Sequence, residues 1–392
     1  MVTDVERAAR AQLLRAAEPP SAGLLRHVAQ VGPVEAVQDI RRRAPIPNLD
    51  VAAMATRLLD VSPERELELA ARLGARLVCP GDPEWPAGLD DLAHLDAGCL
   101  ALWLRGTASL NDVCERAVAV VGTRAPTDYG VSIAAELSTG LAERGWTVVS
   151  GLALGIDAAA HRGALAAGGQ TVAVLASGVD VVYPGANRGL YDRVRAEGVI
   201  VSEQPPGSAP HRGRFLVRNR LIAALSGGTV VVEAAPRSGA RSTARHAAEL
   251  FRHVMAVPGP VSSILSAGCH QLLRDRPDAV LVTKVDEVIE QVGPLGCFAE
   301  RVSGPVRRRD LLGPTVSRAF EAVPVMRPVP LERIATTAGL RLDAMAAALA
   351  ALESAGLVEK VGGGWRMSKS GRDERRGGPA PGSAEELALG WW

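Results

Sequence analysis

The chain has 392 residues, more than one compact core usually covers, so two or three domains are expected. Lys and Arg number 44 against 43 Asp and Glu, which excludes a globally basic polyanion binder, and an aromatic content of 3% argues against a long row of base-stacking rings. The five cysteines form no CxxC pair, no amino-terminal stretch has a signal-peptide layout and no apolar run reaches membrane-spanning length; the expectation is a soluble, cytoplasmic protein without zinc, disulfides or a membrane partner.

Residues 1–75 repeat apolar positions at helical spacing and are punctuated by Pro19-Pro20, Gly32-Pro33 and Pro45-Ile46-Pro47, which predicts a small helical domain of the SAM or helix-hairpin-helix kind. Its Val31-Gly32-Pro33 turn either offers amides to a DNA phosphate or closes an ordinary helical bundle. Next comes a connecting arm, to about residue 116, with one apolar run at Leu100–Leu104 that reads as a strand.

Six short apolar runs follow, each stopping on a small, acidic or turn residue and each followed by a helix-like stretch. They are Val118–Val121 before Gly122-Thr123-Arg124, Thr147–Val149 before Ser150-Gly151, and Val172–Ala176 before Ser177-Gly178. The others are Val199–Val201 before Ser202-Glu203, Thr229–Val232 before Glu233-Ala234, and Val254–Val257 before Pro258-Gly259. Alternating strands and helices predict an α/β domain, 76–292, with a doubly wound, mostly parallel sheet. All these strand ends then share one rim, where such folds bind ligands.

The rim residues are chosen for phosphate. Gly122-Thr123-Arg124 lacks the GxGxxG of a dinucleotide site, but Arg124 offers a rigid fork of donors. Ser150, Gly151 and Gly155 bring backbone amides close to an anion ahead of a helix, and Ser177-Gly178 opens a longer loop of the same kind. Asp157 and His161, four apart, read as a helix cap and a structural histidine. The strongest cation cluster is His211, Arg212, Arg214 and Arg218-Asn219-Arg220; Arg218 and Arg220 cannot share one helical face, so one is expected at the rim and the other tied down. Ser238-Gly239 starts another helix with hydroxyls and free amides. There is no GxxxxGK[ST], no nucleophile elbow and no metal-ligand set, so the pocket reads as one that holds phosphate without cutting it, with no cofactor.

Residues 293–328, with Arg307-Arg308-Arg309, have linker composition. Residues 329–370 predict a winged helix: Leu331–Ala338, a turn at Gly339, a second helix through Leu342, Met345, Leu349 and Leu352, then a wing around Gly362-Gly363-Gly364. The second helix sets Arg341 against Asp343 and Glu353, which favours protein contact over DNA readout. The Gly/Pro-rich tail, 371–392, is expected to be disordered.

Taken in order, these strings resemble the DNA-processing protein A family (DprA, also called Smf). The resemblance rests on Val121-Gly122-Thr123-Arg124 with Tyr129-Gly130, the run Ser150 to Asp157 with Ala160-His161, Gly178 with Tyr183-Pro184, Ser202-Glu203, Arg218-Asn219-Arg220, Val232-Glu233-Ala234, Ser238-Gly239 with Thr243-Ala244, and Ala256-Val257-Pro258-Gly259. It departs where Leu216 follows Phe215 in place of the family's proline, and where Gly268-Cys269-His270 replaces Gly-x-Asn. The resemblance implies an extended Rossmann-like domain that forms a homodimer, binds single-stranded DNA at the strand ends and loads RecA during transformation or recombination, without enzymatic activity. Carried over, it implicates Arg124, Ser150, Gly151, Arg218, Asn219, Arg220, Ser238 and Gly239 in DNA contact, and the reading of the loops adds Gly122, Thr123, Gly155, Ser177, Gly178 and Arg214. Two other readings are a pure RecA-docking scaffold and a nucleoside-monophosphate phosphoribohydrolase. The latter is prompted by Ser226-Gly227-Gly228-Thr229, although that string precedes a strand when the enzyme's loop should precede a helix.

Overall fold

A computed structural model describes residues 2–59, 62–294 and 308–376. The chain divides into two compact units, Met1–Ala299 and Glu300–Trp392.

The first unit opens with five helices, α1 (Asp4–Ala16), α2 (Ala22–Val31), α3 (Pro33–Arg41), α4 (Val51–Leu58) and α5 (Pro63–Arg72). Helix α1 starts on a reciprocal capping box between Thr3 and Glu6, and Gly32 turns α2 into α3 with φ 83°. Strands β1 (Ala75–Val78) and β2 (Leu102–Arg105) then pair antiparallel, flanking a 3₁₀ segment at Ala87–Leu95. After the short α6 (Leu110–Cys114), β3 (Ala117–Gly122), α7 (Asp128–Glu143), β4 (Thr147–Ser150), α8 (Ile156–Ala166), β5 (Thr171–Val174), α9 (Arg188–Glu197) and β6 (Val199–Ser202) alternate. The second half is α10 (Arg212–Ala224), β7 (Gly228–Val232), α11 (Ala240–Glu249), β8 (His253–Ala256), α12 (Ile264–Asp275), β9 (Val280–Leu281) and α13 (Val285–Val292).

Each of the six expected strands is present, and from β6 to β9 every neighbouring pair is parallel. The sheet runs β1-β2-β6-β5-β4-β3-β7-β8-β9. The arm is therefore more than a connector: β2 pairs antiparallel with β6 and β1 adds an edge strand. Along β3 the side chains alternate, Val118 and Val120 packing with α7 and α8, Ala119 and Val121 with α10 and α11.

The amino-terminal helices do not have a core to themselves. One apolar cluster runs from Leu13, Leu24 and Ile40 through Leu77 and Trp103 to Ile200. The β1–β2 extension leaves a sheet face that needs covering, and these helices cover it. Arg7 fastens them, bridging Asp82 at 2.7 Å and donating to the Leu77 carbonyl.

In the second unit, α14 (Pro314–Ala322) precedes α15 (Leu331–Ala338), α16 (Leu342–Ser354), the antiparallel pair β10 (Val358–Val361) and β11 (Gly364–Met367), and α17 (Lys369–Arg376). Part of the expected linker is thus a helix, because Ala319, Phe320 and Val323 are buried with Ile334, Met345 and Leu349. The start of the expected disordered tail is also helical: Arg375 donates to the carbonyls of Glu321 and Val323 and Glu374 is buried. Residues 377–392 and Arg307 lie outside the described residues. Among those described, no single helix is long and apolar enough to cross a membrane.

Replacing Phe320, 1% exposed, by Ala should destabilise the carboxy-terminal unit by about 3–5 kcal/mol. Hydrogen exchange on the full chain checks this: amides of α15 and α16 should lose protection while those of β3 to β8 keep theirs.

Candidate functional site

The chain builds β3, β4, β5 and β6 outward in one direction, then returns through α10 to place β7 on the other side of β3. At that switch point the helices part and the carboxyl ends of the strands open onto solvent. A cleft of about 880 Å³ lies there. It is lined by Gly122, Thr123 and Arg124 after β3, Ala153 and Asp157 after β4, Tyr183 after β5, His211, Arg212, Phe215, Arg218 and Asn219 of the α10 segment, and Arg237, Ser238, Gly239 and Thr243 at the start of α11.

Of the arginines expected here, Arg124 is exposed at the mouth, its guanidinium 4.9 Å from the Phe215 ring centre. Phe215 also meets Tyr183, centroids 5.6 Å apart and rings tilted by 51°. Arg218 lines the cleft from beneath. It is 6% exposed and donates to the carbonyls of Gly151, at 2.8 Å, and Val174. Burial lowers its pKa, Asp157 offsets part of that, and at about 10 it stays charged at neutral pH.

Two expected contacts are placed elsewhere. Arg220 turns to the opposite side of α10, where its guanidinium pairs with Glu203 at 2.8 Å and donates to the Ala97 carbonyl at 2.9 Å; the two side chains are 2% and 5% exposed. Helical positions two apart diverge by about 200°, so only one arginine of the pair can face the rim. Arg214 is drawn away from the cleft by Glu18 from the loop after α1, in a two-point contact, and donates to the Ala209 carbonyl. Arg214 lowers the Glu18 pKa through that hydrogen bond.

The serine and glycine positions also divide. Ser238 and Gly239 line the cleft at the start of α11, and Asn219 donates to the Gly239 carbonyl at 3.2 Å. Ser150 is buried and donates to Val120, and Ser177 is buried and donates to Val181, so neither hydroxyl is offered to a ligand. Gly178 donates its amide to Ser208. Gly151 and Gly155 act below the surface: a Cβ on Gly151 would stand 2.4 Å from the Arg218 guanidinium, and Gly155, at φ 83°, packs against the Thr123 carbonyl.

One cation, Arg237, was missed by the motif reading, and Arg212, counted in the cation cluster, was not carried over as a DNA contact. Arg212 and Arg237 line the cleft, are exposed, and like Arg124 are drawn into no ion pair among the described residues. The signal for Arg237 in the sequence is position alone, immediately before Ser238-Gly239. Leu152 and Glu233, just beyond the ends of β4 and β7, adopt positive φ of 55° and 50°. Such backbone costs about 1–3 kcal/mol per residue and concentrates where function shapes the chain.

Asp157 and His161 are structural. The Gly151 amide donates to Asp157 at 3.1 Å, and burial raises the Asp157 pKa. The Thr171 hydroxyl donates to the Val148 carbonyl, so His161 Nδ1, 2.7 Å away, must be the donor to that oxygen, and burial, which lowers the ring's pKa, keeps it neutral. The Gly227-Gly228-Thr229 string opens β7, at the edge of the sheet opposite the cleft.

Replacing Arg220 by Ala would leave Glu203 buried and unpaired. Denaturant unfolding should show a loss of about 3–5 kcal/mol. His161 gives a pH dependence of known sign. Burial depresses its pKa from 6.5 to about 3, so the folded protein binds fewer protons than the unfolded chain in that window. Its contribution to stability is complete above the ordinary value and falls with pH towards about 3, by up to about 1.4 kcal/mol per pH unit. The stability difference between wild type and His161→Gln, measured by denaturant titration at several pH values, should shrink along that acid limb. Asp157 acts with the opposite sign and is common to both proteins.

The family model described as DNA recombination-mediator protein A matches residues 76–293. A Mycobacterium tuberculosis relative, named as a DNA processing protein DprA, is 46% identical over 370 residues, covering 92% of this chain and 94% of its own. The DNA processing protein DprA of Streptococcus pneumoniae is 44% identical over 201 residues, 51% of this chain and 70% of its own. The X-ray structure of DNA processing protein A from Streptococcus pneumoniae superposes with a TM-score of 0.61 at 31% identity, covering 74% of this chain and 99% of that one.

Proposed function

The chain belongs to the DNA recombination-mediator protein A family, and from that premise we propose that it binds single-stranded DNA in the strand-end cleft and delivers RecA to it. The observation that carries the reading is the composition of the cleft mouth. Three exposed arginines that form no ion pair among the described residues, Arg124, Arg212 and Arg237, flank the exposed Tyr183 and the partly buried Phe215. Cations that follow a phosphate backbone and rings that accept any base are what sequence-tolerant single-strand binding uses. The few aromatics of this chain suffice because two of them meet at this one place.

The remainder of the reading is binding without hydrolysis, self-association through the Rossmann-like domain, and protein contact by the winged helix. Against hydrolysis stand the structural engagement of Asp157 and His161 and the placement of the Gly-Gly-Thr string away from the cleft. Protein contact by the winged helix is supported by Arg341, whose charge is spent on Asp343 in the first turn of α16. Delivery of RecA and homodimerisation rest on the family resemblance.

A salt titration of affinity for oligothymidylate tests the main claim. Each lost phosphate contact should lower the slope of log K against log salt by about 0.7, so the Arg124→Glu, Arg237→Glu double variant should bind weakly with a flatter slope. Phe215→Ala should lose about 1–3 kcal/mol with the slope unchanged. Normal binding by the double arginine variant would refute the cleft assignment. Incubation with AMP should release no adenine, and RecA filament assembly on single strands should accelerate in the presence of the protein.

A further inference from the structure

Glu233 is a buried acid beside a site built for anions, and the binding reading gives it no task. It is 4% exposed and held at φ 50°, a conformation rare for a long side chain. Its carbonyl accepts from the Thr123 amide at 2.8 Å. Its carboxylate accepts from the Thr127 amide at 2.9 Å and the Thr127 hydroxyl at 2.5 Å. One residue at the end of β7 therefore grips both ends of the loop between β3 and α7, and Arg124 lies between the two grips.

The surroundings accommodate this grip. Gly130 leaves room for the carboxylate, since a Cβ there would stand 2.2 Å from Glu233 Oε2. On the other side of the loop, the Ile156 amide donates to the Thr123 carbonyl at 3.2 Å. Both carboxylate oxygens are turned into the loop and hydrogen-bonded by Thr127, so their charge is met by donors where it would otherwise face an incoming phosphate.

We propose that Glu233 is a positioning residue for Arg124. It holds the loop in the shape that sets the Arg124 guanidinium over Phe215, so the arginine meets a phosphate without the loop having to be ordered on binding. This rests on the reading of the cleft as a single-stranded DNA site.

The test is a double-mutant cycle read by salt titration of oligothymidylate binding. Glu233→Asp keeps the charge and suits positive φ, yet is one methylene too short to reach Thr127; it serves if Glu233→Ala does not fold. Either variant should bind about tenfold more weakly with a slope lower by about 0.7, as Arg124→Ala should. Adding Arg124→Ala to either should cost no more than about twofold further. Glu233→Gln, whose amide can accept from the Thr127 amide and donate to its hydroxyl, should stay within about twofold of wild type. Hydrogen exchange at the Thr123 and Thr127 amides should quicken in the Asp variant and not in the Gln variant. Independent, multiplicative losses from Glu233 and Arg124, or an unchanged slope in the Asp variant, would overturn the proposal while leaving single-strand binding intact. A wild-type protein that fails to bind single strands would bring down the functional reading as well.

Discussion

The return of the chain from β6 to β7 is the constraint on which the rest of the structure depends. Three parallel strands, β4, β5 and β6, accumulate on one side of β3, and the next, β7, is laid on the other. A right-handed crossover can do this only by carrying α10 across the opposite face of the sheet from α7 and α8. The cleft is the gap this leaves above β3 and β7, and α10 forms one of its walls. Cleft and crossover are one feature: no loop insertion or second subunit is needed to create the concavity.

That dependence explains how the arginines are shared out. The crossover helix has to be anchored at its start, where it passes from rim to core, and the anchors are themselves charged. Arg218 satisfies the carbonyls at the ends of β4 and β5, and Arg220 closes a buried pair with Glu203 on the far side. Buried guanidinium groups are tolerated because each is surrounded by carbonyl or carboxylate acceptors; unpaired, each would be costly. Arg214 is neutralised by the amino-terminal helices through Glu18. Around the cleft, Arg124, Arg212 and Arg237, whose backbone lies at the lip, are exposed and form no ion pair among the described residues. The division follows geometry and not residue type.

The rim also carries the backbone features that ordinary packing would avoid. Leu152 and Glu233, at positive φ, follow the two strands adjacent to β3. In each case polar partners hold the turn in place: Asn187 donates to the Leu152 carbonyl at 2.9 Å, and Glu233 is bound to Thr123 and Thr127. Rigid loops matter to a site that meets a flexible polymer, because whatever order the protein already has need not be created on binding.

By itself the sequence determined the six parallel strands, the order of strand and helix, the shared rim and the winged-helix pattern, because short apolar runs broken by small residues have few other folded outcomes. It also identified Arg124, Gly122, Ser238 and Gly239, whose loops directly follow strands of the central pair. What it could not assign was the destination of each side chain. Arg212, Arg214, Arg218 and Arg220 look alike in the chain, and no motif marks Arg237. Whether a guanidinium meets solvent, a carbonyl or Glu203 depends on groups distant in sequence, and the same holds for the helices that join the sheet's core when composition suggested a separate domain. Local pattern decides which backbone forms; only tertiary packing decides which charges are neutralised inside it and which remain free to act, because burial and pairing are properties of neighbours brought together by the fold.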